Sequence, residues 1–247
     1  MLNTIIHGEQ TDKPTLLIAH GLFGSARNWG VLAKRLSADR QVVAVDMRNH
    51  GASPWFKTHS YADMATDLAD VVDAPVDLLG HSMGGKAAMV MALAHPAKIN
   101  KLIVADIAPV TYNHTQMGPL QAMRDVDMTT VNSRADAKAQ LNYLDPGVDD
   151  FLLQSFDLKE KRWKLNLDVL AAEMPKIIGF PHVDGTFDGP TLFLSGAESD
   201  YVKPDYRPRI KQHFPAAKFA KIPGAGHWLH AEKPREFEAS VSAFLDM

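Results

Sequence analysis

The sequence contains no cysteine among its 247 residues. This absence excludes a disulfide framework, a thiolate nucleophile, zinc held by cysteine and iron–sulfur clusters. Any covalent chemistry must therefore use serine, threonine, lysine, histidine or a carboxylate. The composition is otherwise that of an ordinary globular protein, since 46% of the residues are hydrophobic and 22% are charged.

An excess of positive charge is also missing, because 26 basic and 29 acidic residues give a formal net charge of −3. The densest basic stretch, residues 159–164, contains Glu160 and has the character of a solvated helix face, so no nucleic-acid partner is expected. No apolar run approaches the roughly 18–20 residues that cross a bilayer, and residues 1–13 lack the pattern of a secretory signal. We expect a cytoplasmic protein without a membrane span, present as a monomer or homodimer.

Motifs for metals and nucleotides are absent as well. The sequence has no H-E-x-x-H, and His227 and His230 are too isolated to indicate zinc. Gly21-Leu22-Phe23-Gly24 is not the dinucleotide pattern G-x-G-x-x-G, and no G-x-x-x-x-G-K-[ST] occurs. We therefore expect no cofactor and no metal.

Short apolar runs alternate with helical patterns through most of the chain. Such runs, spaced by helices, are typical of a parallel sheet covered on both faces. The predicted strands are residues 15–19, 41–46, 76–79, 101–106, 191–195 and 218–222, and the predicted helices include 26–36, 61–72, 83–95 and 234–245.

This alternation breaks in the middle of the chain, where the pattern becomes helical and irregular. Trp163, Leu167, Leu170 and Met174 are spaced as on one face of an amphipathic helix. A sheet interrupted in this way predicts a core with an insertion. We expect an α/β core of residues 1–108 and 187–247, with residues 109–186 inserted as a helical lid.

The sharpest chemical signal is Gly80-His81-Ser82-Met83-Gly84, which fits G-x-S-x-G. It lies between a predicted strand and a predicted helix, where a serine in a strained turn needs small neighbours on both sides. The N-terminus of the helix would direct N–H groups and partial positive charge at the serine oxygen. An ordinary capping serine would not require both glycines, so Ser82 is the predicted nucleophile.

A serine nucleophile needs a base, which is normally a histidine held by a carboxylate. His227 lies in a short loop between the last predicted strand and the last predicted helix, at the same sheet edge as Ser82. We therefore predict that His227 is the general base and that His230 is a packing residue of the loop or a polar partner. Surface positions are predicted for His7, His59, His95, His114, His182 and His213.

The turn after the first predicted strand offers an oxyanion hole. After His20-Gly21, the backbone N–H of Leu22 can point towards the Ser82 oxygen. Together with the N–H of Met83, it would bind the oxygen of a tetrahedral intermediate. The alternative is a plain turn at a strand end.

Five stretches of the sequence together resemble the α/β-hydrolase superfamily, and within it the YbfF-type bacterial esterases, which are related to the ABHD11 hydrolases. The resemblance covers the whole predicted core in order. It implies an α/β-hydrolase fold and a serine hydrolase mechanism, and it says much less about the substrate. The stretches are HGLFGSARNWGVLAKRL, VVAVDMRNHGASP, LLGHSMGGKAAM, KLIVADIAPV and IPGAGHWLHAEKP.

The identity of the third catalytic residue depends on this resemblance. Most α/β-hydrolases take the acid from a loop that corresponds to residues 196–202, where Asp200 is one position out of register and Glu198 is a further candidate. In the YbfF-type pattern the acid lies at the end of the preceding strand, which is Asp106 here. The resemblance therefore favours Asp106, with Asp200 and Glu198 as alternatives.

The expected activity is that of a serine carboxylesterase. It would hydrolyse small carboxylic esters, with short acyl chains, through an acyl-enzyme on Ser82. An acyl-thioester hydrolase and a carbon–carbon bond hydrolase are alternatives among enzymes. A ligand-sensing protein of the same fold, with little turnover, is the alternative from another class.

Overall fold

A seven-stranded sheet forms the centre of the molecule, which the computed structural model describes over residues 1–141 and 147–247. The strands of this sheet are β1 (Thr4–His7), β2 (Leu16–Ala19), β3 (Val42–Val45), β4 (Val76–His81), β5 (Ile99–Ala105), β8 (Thr191–Gly196) and β9 (Ala217–Ile222). The strands β6 (Phe156–Asp157) and β7 (Arg162–Trp163) form a separate hairpin. The sheet order is β1-β3-β2-β4-β5-β8-β9, and all neighbouring pairs except β1 with β3 are parallel. The predicted mostly parallel sheet is confirmed.

Helices pack on both faces of this sheet. One face carries α2 and α3, and the other carries α1 and α11. Short 3-10 helices cover Ala26–Trp29, Pro96–Lys98 and Pro204–Tyr206. The α-helices are α1 (Gly30–Leu36), α2 (Tyr61–Ala69), α3 (Met83–Ala94), α4 (Met117–Asp125), α5 (Arg134–Gln140), α6 (Val148–Leu153), α7 (Leu167–Ala172), α8 (Met174–Ile178), α9 (Arg207–His213), α10 (Leu229–Glu232) and α11 (Pro234–Leu245).

Side chains of the central strands alternate between two apolar cores. In β4, Leu78 lies in the core shared with α2 and α3, whereas Leu79 lies in the core shared with α1 and α11. In β5, Val104 and Ile103 divide in the same way. Because both faces are buried, these strands appear in the sequence as continuous apolar runs.

The edge strand β1 was not predicted from the sequence. It is four residues long and pairs antiparallel with β3. None of its residues is buried, since one face of an edge strand remains open to water. A short, half-exposed strand gives neither a continuous apolar run nor a clear alternation, which explains the omission.

Between β5 and β8, the described part of residues 109–186 contains α4 to α8 together with the hairpin of β6 and β7, and this stretch is called the inserted segment below. The predicted amphipathic helix through Trp163 and Met174 is wrong. Trp163 belongs to the hairpin, α7 begins only at Leu167, and Met174 opens the separate helix α8. Pro175 in the first turn of α8 explains the break, because proline is favoured at a helix start and prevents one from continuing.

Candidate active site

The predicted nucleophile lies at a sharp turn between β4 and α3. Ser82 has φ 52° and ψ −119°, which is a strained conformation for a residue with a Cβ atom. Two glycines make the turn possible. A Cβ on Gly84 would lie 2.3 Å from the carbonyl oxygen of Ala19, and one on Gly80 would lie 2.3 Å from the carbonyl oxygen of Gly84. The strand, the serine and the helix are therefore joined as the motif predicts.

Ser82, His227 and Asp106 form one chain of hydrogen bonds. His227 comes from the loop after β9, and its Nε2 lies 3.0 Å from Oγ of Ser82. Its Nδ1 lies 2.7 Å from Oδ2 of Asp106, which directly follows β5. Because a carboxylate only accepts, Nδ1 carries the proton, and Nε2 accepts from the serine hydroxyl. Such a chain can remove the serine proton during attack on a carbonyl carbon.

The carboxylate of Asp106 is fully buried and is surrounded by donors. Its Oδ1 accepts the N–H of Gly196 at 3.1 Å. Its Oδ2 accepts the hydroxyl of Ser199 in addition to the His227 ring. A buried charge needs partners of this kind to offset its loss of hydration. These hydrogen bonds therefore hold Asp106 in contact with His227.

The two alternative acids lie elsewhere. Asp200 and Glu198 are exposed in the loop after β8, and within the described residues neither forms a hydrogen bond or ion pair with His227. Ser199, between them, reaches Asp106 instead. In the sequence, Ser199 lies three residues before Val202, which is the position where the common family pattern places the acid. No local signal indicates that its hydroxyl would contact an aspartate from another strand.

The two predicted oxyanion donors lie beside Ser82. Leu22 and Met83 border the same cavity as the serine. In residues 1–141 and 147–247, the backbone N–H of neither one donates to a protein acceptor. A Cβ on Gly21 would lie 3.3 Å from Cβ of Ser82, so the turn that carries Leu22 passes close to the serine. The arrangement leaves two N–H donors for an oxygen bound at this point.

A cavity of about 300 Å³ borders Ser82. The core loops and the inserted segment form its wall together. A concave space with a mainly apolar wall that also carries polar groups is typical of a small-molecule site. Its apolar side chains are Leu22, Phe23, Trp29, Met83, Ile107 and Trp228 from the core, and Pro119, Val148, Phe151, Leu152, Ile177 and Ile178 from the inserted segment.

Comparison with known proteins assigns the chain to a family. Residues 16–240 match the sequence model of the alpha/beta hydrolase family. The chain belongs to this family.

Several relatives of this hydrolase are named enzymes. It is 38% identical over 245 residues to Esterase YbfF of Escherichia coli (strain K12), a match that covers 96% of this chain and 95% of that protein. It is 38% identical over 257 residues to the sn-1-specific diacylglycerol lipase ABHD11 of Mus musculus, with 98% of this chain and 83% of that protein covered. The solved structure of an esterase from a marine microorganism has a TM-score of 0.93 at 39% identity and covers 98% of each chain. These matches confirm the α/β-hydrolase fold, the resemblance to YbfF-type esterases and the expectation of a hydrolase.

The hydrolase also has a buried lysine close to Ser82 along the chain, which sequence reasoning missed. Lys86 lies on α3, four residues after Ser82, and is 1% exposed. Its Nζ donates to the carbonyl oxygens of Val110 and Ile178 at 2.9 Å and of Gly179 at 2.5 Å. Burial lowers the pKa of Lys86 to about 7. One side chain therefore connects both ends of the inserted segment to α3, the helix that follows Ser82.

A tyrosine stacks on the base of the candidate triad. The ring of Tyr201 lies parallel to the His227 imidazole, with 3.9 Å between centroids and 18° between planes. Its hydroxyl lies 2.8 Å from Nε2 of His114, in the inserted segment. This contact restricts the orientation of the His227 ring.

Several other histidines of the hydrolase are buried and uncharged. His81 bonds through Nε2 to the carbonyl oxygen of His227 at 2.9 Å, and burial lowers the pKa of His81 well below its usual value. The prediction of a surface position for His59 is wrong, because that side chain is fully buried. Burial lowers the pKa of His59 to about 3. His230 stacks on Trp29 with 4.5 Å between ring centroids, as expected of a packing residue.

Two further observations bear on the surroundings of the site. In the part of the chain that the structure describes, no three His, Cys, Asp or Glu side chains cluster as they would around a metal ion. Over the same residues, no helix has both the length and the apolar character needed to cross a bilayer.

Proposed function

We propose that this hydrolase is a serine carboxylesterase that acts through an acyl-enzyme on Ser82. The observation that carries the proposal is the continuous hydrogen-bonded chain from Ser82 through His227 to the buried Asp106. Of the three relatives described above, two are named esterases and one is named a diacylglycerol lipase, which supports an ester as the substrate.

The reaction follows from the hydrogen bonds of the site. His227 Nε2 takes the hydroxyl proton of Ser82 as Oγ attacks the ester carbonyl carbon. The N–H groups of Leu22 and Met83 stabilise the negative oxygen of the tetrahedral intermediate. The imidazolium then protonates the leaving alcohol as the carbon–oxygen bond breaks. A water molecule, deprotonated by the same ring, releases the carboxylic acid and restores Ser82.

The cavity favours a small acyl group. A volume of about 300 Å³ is at the lower end of the range of small-molecule pockets. The inserted segment forms one side of this cavity with Phe151, Leu152 and Ile177. We propose that this segment acts as a lid over the acyl group, so that its side chains limit the chain length.

Replacing the nucleophile tests the mechanism. Ser82→Ala should lower kcat for a p-nitrophenyl ester by about a million-fold, as in other triads in which the nucleophile is removed. Ser240→Ala is the matched control, because that serine lies on α11 and bonds only to the Glu236 carbonyl oxygen. Labelling by a fluorophosphonate, mapped by mass spectrometry, should modify Ser82 alone. Turnover near the wild-type rate in Ser82→Ala would overturn the mechanism.

The same assay, run on a series of acyl chains, tests the substrate class. The value of kcat/KM should be highest for acetate to butyrate esters and should fall towards the palmitate ester, since a long chain exceeds the cavity. An oxyester and a thioester of one acyl group, measured side by side, separate a carboxylesterase from a thioesterase. A preference for long chains, or for the thioester, would contradict this part of the proposal.

A further inference from the structure

The turn that carries Leu22 contains a strained residue. Phe23, which follows Leu22, has φ 64°. This left-handed conformation is unusual for an aromatic residue, and the surrounding structure must hold it in place. The turn would otherwise relax and move the Leu22 N–H away from a substrate oxygen.

His50 supplies the contact that holds Phe23. The Phe23 N–H donates to Nε2 of His50 at 3.1 Å. The other ring nitrogen, Nδ1, lies 2.9 Å from the carbonyl oxygen of Arg48. Because a carbonyl only accepts, Nδ1 carries the proton and Nε2 is an acceptor, which makes the ring neutral. His50 is completely buried, so water cannot replace either bond.

The turn that contains Phe23 and the loop that contains His50 are linked by hydrogen bonds in both directions. His20, which precedes the turn, accepts the N–H of Met47 at Nε2 over 2.9 Å, and its Nδ1 donates to the carbonyl oxygen of Gly21 at 2.7 Å. Gly21 C=O and Leu22 N–H belong to the same planar peptide, so this bond orients the Leu22 N–H. His50 fixes the next peptide, and the two rings lie 5.2 Å apart. Burial lowers the pKa of both rings, which keeps them neutral as these bonds require.

The inserted segment holds the other side of Phe23. The hydroxyl of Ser155 donates to the Phe23 carbonyl oxygen at 2.8 Å. The loop of His50 is attached to the same segment, because the N–H of Gly51 donates to the Lys164 carbonyl oxygen at 2.8 Å. The Phe23 backbone is therefore fixed from two directions, and His50 is the side chain that binds its N–H.

We propose that His50 is a positioning residue for the oxyanion hole: by accepting the N–H of Phe23, it holds the strained turn that directs the Leu22 N–H at the substrate oxygen. The inference rests on the proposed function, since an oxyanion forms only if Ser82 attacks a carbonyl. His50 touches neither the substrate nor the triad in this role. The residues around it, Arg48-Asn49-His50-Gly51, are typical of a loop, but they do not indicate the contact with Phe23.

Two amide substitutions separate the bonds of the ring. The amide of His50→Gln reaches the position of Nε2 and can still accept from Phe23. The shorter amide of His50→Asn reaches only the position of Nδ1 and can bond to Arg48 alone. His50→Asn should lower kcat about 10- to 100-fold with little change in KM, since misdirecting one oxyanion donor costs somewhat less than removing it. His50→Gln should stay within about threefold of the wild type.

An inhibitor distinguishes positioning from general loss of structure. A trifluoromethyl ketone adds to Ser82 and forms an oxyanion, whereas the product carboxylate does not. In His50→Asn, the affinity for the ketone should fall by the same factor as kcat/KM. The affinity for the product carboxylate should stay constant. Equal losses in both variants, or none in His50→Asn, would overturn the proposal.

Two measurements do not depend on turnover, so they test the role of His50 even if the proposed esterase activity is wrong. In the Ser82→Ala background, amide hydrogen exchange at Phe23 should accelerate in His50→Asn and not in His50→Gln. Nitrogen-15 spectra of the unsubstituted protein add a readout that needs no variant to fold. They should show His50 with its proton on Nδ1, and its Nε2 signal should shift when the ketone binds. A proton on Nε2, or unchanged exchange, would overturn the positioning role even if the esterase activity is real.

Discussion

At the scale of single residues, the surroundings of Asp106 decide how His227 is oriented. Three donors converge on a carboxylate that is sealed from water: the Gly196 N–H, the Ser199 hydroxyl and His227 Nδ1. Asp106 itself has φ 51°, so its backbone is held in an uncommon conformation. The contacts with β8 and its following loop are what make that conformation tolerable.

Replacing the two candidate acids in turn tests this arrangement. Asp106→Asn should lower kcat about 10⁴-fold, because the amide would present a donor to Nδ1 and favour the wrong tautomer of His227. Asp200→Asn is the control and should leave kcat within about twofold, since Asp200 is exposed and does not contact His227. Steady-state kinetics on one ester measures both. The reverse ranking would assign the acid to Asp200.

At the scale of helices and strands, the turn at Ser82 and the inserted segment differ in how far the sequence predicts them. The strand, the serine and α3 were predicted because a buried strand, a glycine motif and a helical run follow one another locally. The partners of Lys86 lie at Val110, Ile178 and Gly179, far along the chain, so no local pattern predicts the contact. The break between α7 and α8 was missed because the apolar spacing continues through Pro175.

The hydrogen bonds of Lys86 lead us to expect that replacing this residue loosens the inserted segment. Lys86→Met should lower the free energy of unfolding by about 2–4 kcal/mol, because three carbonyl groups lose their hydrogen-bond donor in a buried place. It should also expose residues 109–186 to protease. Lys98→Met is a matched control, since this half-buried lysine donates to the Ala69 and Val72 carbonyl oxygens, far from the segment.

Urea unfolding and limited proteolysis of the two variants check this expectation. Lys98→Met should lose less than about 1 kcal/mol, because Lys98 is only half-buried whereas Lys86 is 1% exposed. Its pattern of cleavage within residues 109–186 should match that of the wild type. Equal protection of the segment in Lys86→Met would mean that Lys86 does not hold it.

At the scale of the whole molecule, the site is assembled where parallel strands end at one sheet edge. Ser82 follows β4, Asp106 follows β5 and His227 follows β9, so the topology alone predicts that they lie close together. Topology does not predict which of two loops supplies the acid, because both follow neighbouring strands at that edge. That choice depends on side-chain packing between β5 and β8, which one sequence does not reveal.

Burial of neutral histidines gives the entire fold a dependence on pH. His20, His50, His59 and His81 are buried, and burial lowers the pKa of each below its usual value of 6.5. Below pH 6.5 the unfolded chain binds a proton at each of these side chains, and the folded chain does not. Stability is therefore fully present above pH 6.5 and is lost as the pH falls towards the folded pKa values.

His59 allows this loss to be measured for one side chain. Its folded pKa of about 3 means that it should contribute about 1.4 kcal/mol of lost stability per pH unit between pH 6.5 and pH 3. Urea unfolding at pH 8, 6 and 5 should show a smaller loss in His59→Asn than in the wild type, by about 2 kcal/mol at pH 5. His182→Asn, on an exposed loop, is the control and should retain the wild-type dependence. If His59→Asn lost stability with pH as steeply as the wild type, His59 would have to be protonated in the folded protein. The ring contacts of His59 with Asn49 and Met83 would then need a different assignment of donor and acceptor.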